Sequence, residues 1–168
     1  MGQFLHKLKK ILSFEDSAQM ELQYRLNRGL VIGENTHIYS IDGIDAAWPW
    51  LIKIGNNVTI SSDVTILAHD ASTNVVRCST KLGRVIIGDN VFIGARSVVL
   101  CNTKIGDNVI VGAGSVVTHD LPSGGVYAGS PARYICSIDE YREKYTKLYN
   151  ARPHFDQIHP WNEWSAAT

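Results

Sequence analysis

Hydrophobic positions in the middle of the chain recur every six residues. Ile87, Ile93, Val99, Ile105, Val111 and Val117 are all aliphatic, and the same beat runs through Ile54, Ile60 and Ile66 and, less regularly, Ile32, Ile38 and Ile44. That spacing fits neither a helix nor the sustained alternation of a hairpin sheet. Because side chains alternate along a strand, a short strand aims one aliphatic residue inward and a small or β-branched one, here Val91, Ser97, Thr103, Val109 or Ser115, four positions on. Gly88, Gly94, Gly106 and Gly112 follow the inward aliphatics, where a chain turning a corner benefits from having no Cβ. A longer period lies on top: a shift of 18 residues sets Ile87–Val99 on Ile105–Val117 with ten of thirteen positions identical. Three six-residue sides close a triangle, so Ile105 lies over Ile87, Val111 over Ile93 and Val117 over Val99, about 4.8 Å apart. The prediction is an all-β parallel solenoid around a column of stacked aliphatics. A βαβ sheet does not fit, since the unbroken repeat from Val85 to Asp120 leaves no room for crossover helices.

The flanks read differently. Phe4, Leu5, Leu8, Ile11 and Leu12 share one helical face with Lys7, Lys9 and Lys10 off it, and Leu22, Leu26 and Leu30 suggest a second helix. Docking on the body of the protein's own oligomer is favoured over a membrane surface for the first of these. The chain therefore divides into an N-terminal helical segment (1–30), the β-solenoid (31–136) and a C-terminal helix and tail (137–168) that carries Trp161 and Trp164. Within the solenoid the beat lapses for 21 residues between Ile66 and Ile87, which is not a multiple of six, so a loop leaves the prism over 70–84. His69 stands at that break.

Composition narrows the function. In 168 residues, 16 Lys+Arg balance 16 Asp+Glu and 45% are hydrophobic, which describes one globular domain without the basic excess of a mainly electrostatic nucleic-acid binder. No apolar run is long enough to cross a bilayer and residues 1–12 lack the features of a secretory signal, so a cytoplasmic protein is expected. Cys78, Cys101 and Cys136 are odd in number and lack CxxC spacing, which fits reduced thiols better than disulfides or zinc ligation.

Residues 30 to 136 resemble the left-handed β-helix, or hexapeptide-repeat, acyltransferases. The sugar and polysaccharide O-acetyltransferase branch is matched by IGNNVTI at 54–60, Ala68-His69-Asp70 ahead of the break, the two 18-residue coils and Gly129-Ser130-Pro131-Ala132-Arg133 at the exit. The resemblance implies left-handed winding, a homotrimer with active sites between subunits, and acetyl-CoA as co-substrate with no metal. It implies His69 as the general base that takes a proton from a sugar hydroxyl; an imidazole with an unperturbed pKa of about 6.5 suits that work. Asp70, which is adjacent, or Asp63, on the same coil, is the candidate to orient it; the sequence does not choose between them, since neighbouring strand residues point to opposite faces, and capping of the loop or contact with the acceptor are equal roles for Asp70. For the coenzyme, the resemblance places Phe92, Ala95 and Ala113 along the pantetheine arm and Thr118 and Arg133 at the nucleotide and its phosphates. His119 departs from the lysine usual after that threonine. Asp42, Asp45, Trp48 and Trp50 fall where related enzymes contact sugars, or else cap the solenoid end, and Arg77 and Lys81 would favour an acidic acceptor. N-acetylation of an amino sugar, and serine or antibiotic acetylation, use the same base and donor track. A non-catalytic scaffold is the rival of another class, disfavoured by the break at His69. A zinc carbonic-anhydrase relative needs three histidines from two chains, and the coils offer only His37, His69 and His119.

Overall fold

The computed structural model describes residues 17–77 and 79–151, so the amphipathic pattern of residues 4–12, Cys78, the side chain of Arg77 and the Trp161–Trp164 tail lie outside the described residues. Helix α1 spans residues 17–27. The chain then enters a rotation through three sheets. β1 (Val31–Ile32) and β2 (His37–Ile38) begin the first coil. β3 (Ile52–Ile54), β4 (Thr59–Ile60) and β5 (Thr65–Ile66) form the second, and β6 (His69–Asp70) and β7 (Lys81–Leu82) are the arms of an excursion. β8 (Val85–Ile87), β9 (Phe92–Ile93) and β10 (Val98–Val99) form the third coil, and β11 (Thr103–Ile105), β12 (Ile110–Val111) and β13 (Val116–Val117) the fourth. β14 (Gly125–Ala128) and the antiparallel β15 (Arg133–Ser137) extend one side, and helix α3 (Ile138–Ala151) follows.

The first face has the order β1-β3-β8-β11, the second β2-β4-β9-β12-β14-β15 and the third β5-β10-β13. Apart from β15, their pairings are parallel. Ile105 lies on Ile87, Val111 on Ile93 and Val117 on Val99, as the 18-residue shift predicts. All six are buried, and so are Val91, Ser97, Thr103, Val109 and Ser115. Stacked aliphatics exclude water from a column only one side chain wide, so each Ile or Val contributes roughly 1.5–3 kcal/mol of burial.

The corners divide labour in a way the glycine spacing does not announce. The left-handed conformations between the first and second faces belong to Asn35, Asn57, Asn90 and Asn108, with φ between 53° and 56°. Their side-chain amides hydrogen-bond in a ladder from coil to coil. Asn tolerates this conformation because its short polar side chain bonds locally. Gly88 and Gly94 serve close approach instead: a Cβ there would lie 2.3 Å from Asp107 Oδ1 and 2.4 Å from the Ala113 nitrogen.

Register also locates two excursions. Coil two sits on coil one with a step of 22 residues (Ile32 on Ile54, Ile44 on Ile66), and coil three on coil two with a step of 33 (Ile54 on Ile87). Both insertions leave the corner between the third and first faces, one rung apart: residues 45–51, then 70–84. At the base of the second, His69 pairs with Leu82 and Asp70 with Lys81, and a short 3-10 turn (Ala71–Thr73) and helix α2 (Asn74–Arg77) follow β6. The second helix suggested by Leu22, Leu26 and Leu30 is α1; Leu30 is buried just beyond its end, whereas Leu26 faces out and Arg25 takes the buried position. No helix among the described residues is long and apolar enough to cross a membrane. From Asp139 onward the described chain belongs to a separate unit, in which α3 carries its own pairs, Arg142 with Asp139 and Lys147 with Glu143.

Candidate active site

His69 is held by the backbone first. It stands on the outgoing arm of the longer excursion, and the arm is pinned by the β6–β7 ladder and by the Gly83 N–H donating to the Ala68 carbonyl at 3.0 Å. The shorter excursion, one rung below, brings Asp45 beneath it. Asp45 Oδ2 accepts from His69 Nδ1 at 2.5 Å and from the Ala68 N–H at 3.0 Å. Its Oδ1 accepts from the N–H groups of Ala47 at 2.9 Å and Trp48 at 3.2 Å. The carboxylate is 1% exposed and the imidazole 33%. The Trp48 ring lies against the imidazole, 4.5 Å between centroids.

Burial pushes the Asp45 carboxyl up, but the hydrogen bonds from His69, Ala68, Trp48 and Ala47 outweigh it and hold the group below the usual carboxylate range. Asp45 therefore presents an anion to Nδ1. An anion accepts and does not donate, so Nδ1 carries a proton, and in the neutral form of the ring it is Nε2 that holds the lone pair. A carboxyl with a depressed folded pKa stabilises the fold above its unfolded value and loses that contribution as pH falls through the lower folded value. The advantage in melting temperature of the protein over Asp45→Asn is expected to shrink on acidification below about pH 4; an advantage that stays constant as the pH is lowered would contradict the assignment.

Asp45, not Asp70 or Asp63, is thus the partner of His69, which corrects the expectation drawn from adjacency. Asp70 caps the 3-10 turn through the Ser72 N–H at 2.9 Å and faces Lys81 at 3.7 Å; hydrogen bonds from Ser72, then Lys81, hold its carboxyl low. Asp63 faces Arg96 at 3.6 Å. Neighbouring strand residues point to opposite faces, so the residue next to His69 was poorly placed to meet it. Asp45 had a signal, the four extra residues after Ile44 at the same corner as the longer break.

His69 and Leu67 line two clefts. One, of about 430 Å³, adds Asp70, Ala71, Ser72, Leu100 and Cys101 on the side of the later coils. The other, of about 410 Å³, adds Arg25, Thr65 and the segment from Asp42 to Ala47. Leu67, Leu100 and Thr118 stack up this corner through N–H bonds from Leu67 to Val99 and from Leu100 to Val117. Thr118 and His119 open on a further cleft of about 520 Å³ with Arg84 and Lys104. The remaining residues expected at the coenzyme lie elsewhere in the chain. Phe92 is on the second face, 43% exposed; Ala95 and Ala113 stack at the corner between the second and third faces; Arg133 begins β15 beside Ala128. One chain therefore gathers His69, Asp70 and Thr118 at one corner and places Phe92, Ala95 and Ala113 across the third face from them.

Comparison with known proteins follows the same lines. A family model described as bacterial transferase hexapeptide (six repeats) matches residues 84–119. Protein CapG of Staphylococcus aureus is 42% identical over 133 residues, covering 73% of this chain and 77% of CapG. "Putative acetyltransferase YvoF" of Bacillus subtilis (strain 168) is 36% identical over 124 residues, covering 74% of this chain and 70% of YvoF. Among solved structures, a maltose O-acetyltransferase from Clostridium difficile 630 superposes with a TM-score of 0.55 at 28% identity, covering 67% of this chain and 72% of that one.

Proposed function

Because the chain belongs to the bacterial hexapeptide-repeat transferase family, and YvoF and the maltose enzyme among the proteins it resembles are named acetyltransferases, we propose that it is an acetyl-CoA-dependent O-acetyltransferase of a sugar or polysaccharide precursor, wound left-handed and assembled as a trimer. One observation carries this reading: a buried carboxylate holds the imidazole at Nδ1, and the same imidazole lines both clefts, which supports Nε2 as the proton acceptor between them. The cleft toward the later coils, with its apolar Leu67–Leu100 wall, takes the acyl donor. The cleft toward Asp42–Ala47 takes the acceptor. Nε2 removes the acceptor hydroxyl proton as that oxygen bonds to the thioester carbonyl carbon. The carbon–sulfur bond then breaks, the imidazolium proton passes to the departing thiolate, and the products are an acetyl ester and free coenzyme A. Arg84 and Lys104, beside Thr118, supply cationic charge for the donor's phosphates where His119 replaces the usual lysine.

The trimer completes the donor track. Phe92, Ala95 and Ala113 lie on one side of a prism and His69 on another, so a neighbouring copy is needed to bring the two sets to one groove. Light scattering is expected to give the mass of three chains, and a fully active monomer would contradict the intersubunit site. Mass spectrometry of sugars, nucleotide sugars and oligosaccharides incubated with the protein and acetyl-CoA tests the activity itself. The expected product gains one acetyl group that mild alkali removes, as it does an ester; an alkali-stable product would mark an amide and N-acetylation.

A further inference from the structure

Helix α1 and the turn after it reach the backbone on either side of Asp45 through two arginines, Arg25 and Arg28. After the helix the chain turns at Gly29, φ +95°, where a Cβ would lie 3.0 Å from Trp50 Cβ, so α1 and the shorter excursion are in close contact. Arg25, 3% exposed, donates from Nε to the Ile44 carbonyl at 2.8 Å and is itself fixed by Glu21 at 2.6 Å. Arg28 donates to the Ala46 carbonyl at 3.2 Å and to the Ala47 carbonyl at 3.1 Å, with its guanidinium over the rings of Tyr24 and Trp50.

Those carbonyls are the far ends of particular peptide units. The Ala46 carbonyl belongs to the planar unit whose N–H, that of Ala47, donates to Asp45 Oδ1; the Ala47 carbonyl belongs to the unit whose N–H, that of Trp48, donates to the same oxygen. In a trans peptide the carbonyl and N–H point in opposite directions in one rigid plane, so holding one end aims the other. The Ile44 carbonyl likewise shares a unit with the Asp45 N–H, which donates to Ile66 at 2.9 Å. A guanidinium fork meets two carbonyls at fixed spacing, which a single ammonium does not.

We propose that Arg28, with Arg25, is a positioning residue for catalysis: it orients the peptide planes that orient Asp45, and through Asp45 the imidazole of His69. This rests on the reading of His69 as base. Neither arginine is assigned contact with the reacting atoms.

The test is a double-mutant cycle on the full chain with acetyl-CoA and an accepted sugar. Arg28→Ala is expected to lower kcat on the order of ten- to hundredfold, the scale on which small misplacements act, with the KM for acetyl-CoA unchanged. Arg28→Lys, which keeps the charge without the fork, should stay within about threefold of Arg28→Ala. In an Asp45→Asn background Arg28→Ala should cost less than about twofold, since the pathway is already cut. Where residual activity is too low for the cycle, the ¹⁵N shifts of the His69 ring serve: they should move in Arg28→Ala while the protein stays folded. Equal losses in both backgrounds, unaltered kcat or ring shifts in Arg28→Ala, or loss of the folding transition in both Arg28 variants would overturn the proposal. His69→Ala separates the two readings. Full activity there removes the base and the clamp together, whereas an inactive His69→Ala beside a fully active Arg28→Ala removes the clamp alone.

Discussion

Replacing His69 by alanine is expected to lower kcat by at least about a hundredfold, the lower range for loss of a positioned general base, while the KM for acetyl-CoA changes little. The split follows from geometry. The imidazole forms the ridge between two clefts, but the donor-side cleft is also walled by Leu67, Leu100, Cys101 and the turn at Ala71 and Ser72, which the substitution leaves in place. A third of the imidazole side chain is exposed, so its removal opens no closed cavity and the fold should persist. Steady-state kinetics at saturating donor, with melting curves recorded in parallel, measure this. Unaltered kcat in a folded variant would take His69 out of the reaction.

The second large effect is expected from Asp45→Asn. The asparagine carbonyl oxygen still accepts from Ala47 and Trp48, so the excursion keeps its local shape. The amide nitrogen, however, now faces His69 Nδ1 and the Ala68 N–H with hydrogens of its own. For Nδ1 to accept from it, the ring proton must move to Nε2, and the nitrogen that should take the hydroxyl proton becomes a donor. Turnover should therefore fall by at least about a hundredfold; the corresponding change in the serine-protease triad costs on the order of 10⁴. Equal turnover in the two proteins would show that Asp45 supports the fold and not the tautomer.

Much of the frame was legible because a one-side-chain-wide core leaves little freedom. Every sixth residue must be aliphatic, the stack must repeat at 18, and a lapse in the beat must leave the prism; the registers of Ile87, Ile93 and Val99 on the next coil follow directly. The corners were less legible. Gly88 and Gly94 advertised a turn, yet the strained dihedrals fell to Asn90, Asn108 and their counterparts, whose amides bond along the coil axis in a way no single repeat displays. The leucine step marked a helix that forms, but not which side chain it buries: Arg25, with three acceptors, holds the buried position.

At the candidate site, His69 was marked by the break in the pattern, and the carboxylate it bonds was missed by looking along the chain instead of across rungs. Asp45 is 24 residues upstream and one coil away, a separation set by an extra four residues that fall outside the clear repeats. Trp48 and Arg28 belong to the same excursion and its clamp, and their link to the imidazole exists only once that rung is stacked beneath the next.

The most direct measurement is a crystal structure of the assembled protein with coenzyme A and an acceptor sugar it acetylates. It is expected to show one acceptor hydroxyl oxygen within about 3 Å of His69 Nε2, Nδ1 still on Asp45, and the coenzyme sulfur in the groove against a neighbouring chain's Phe92 side. An acceptor bound away from His69, or an Nε2 closed off from both ligands, would contradict the account.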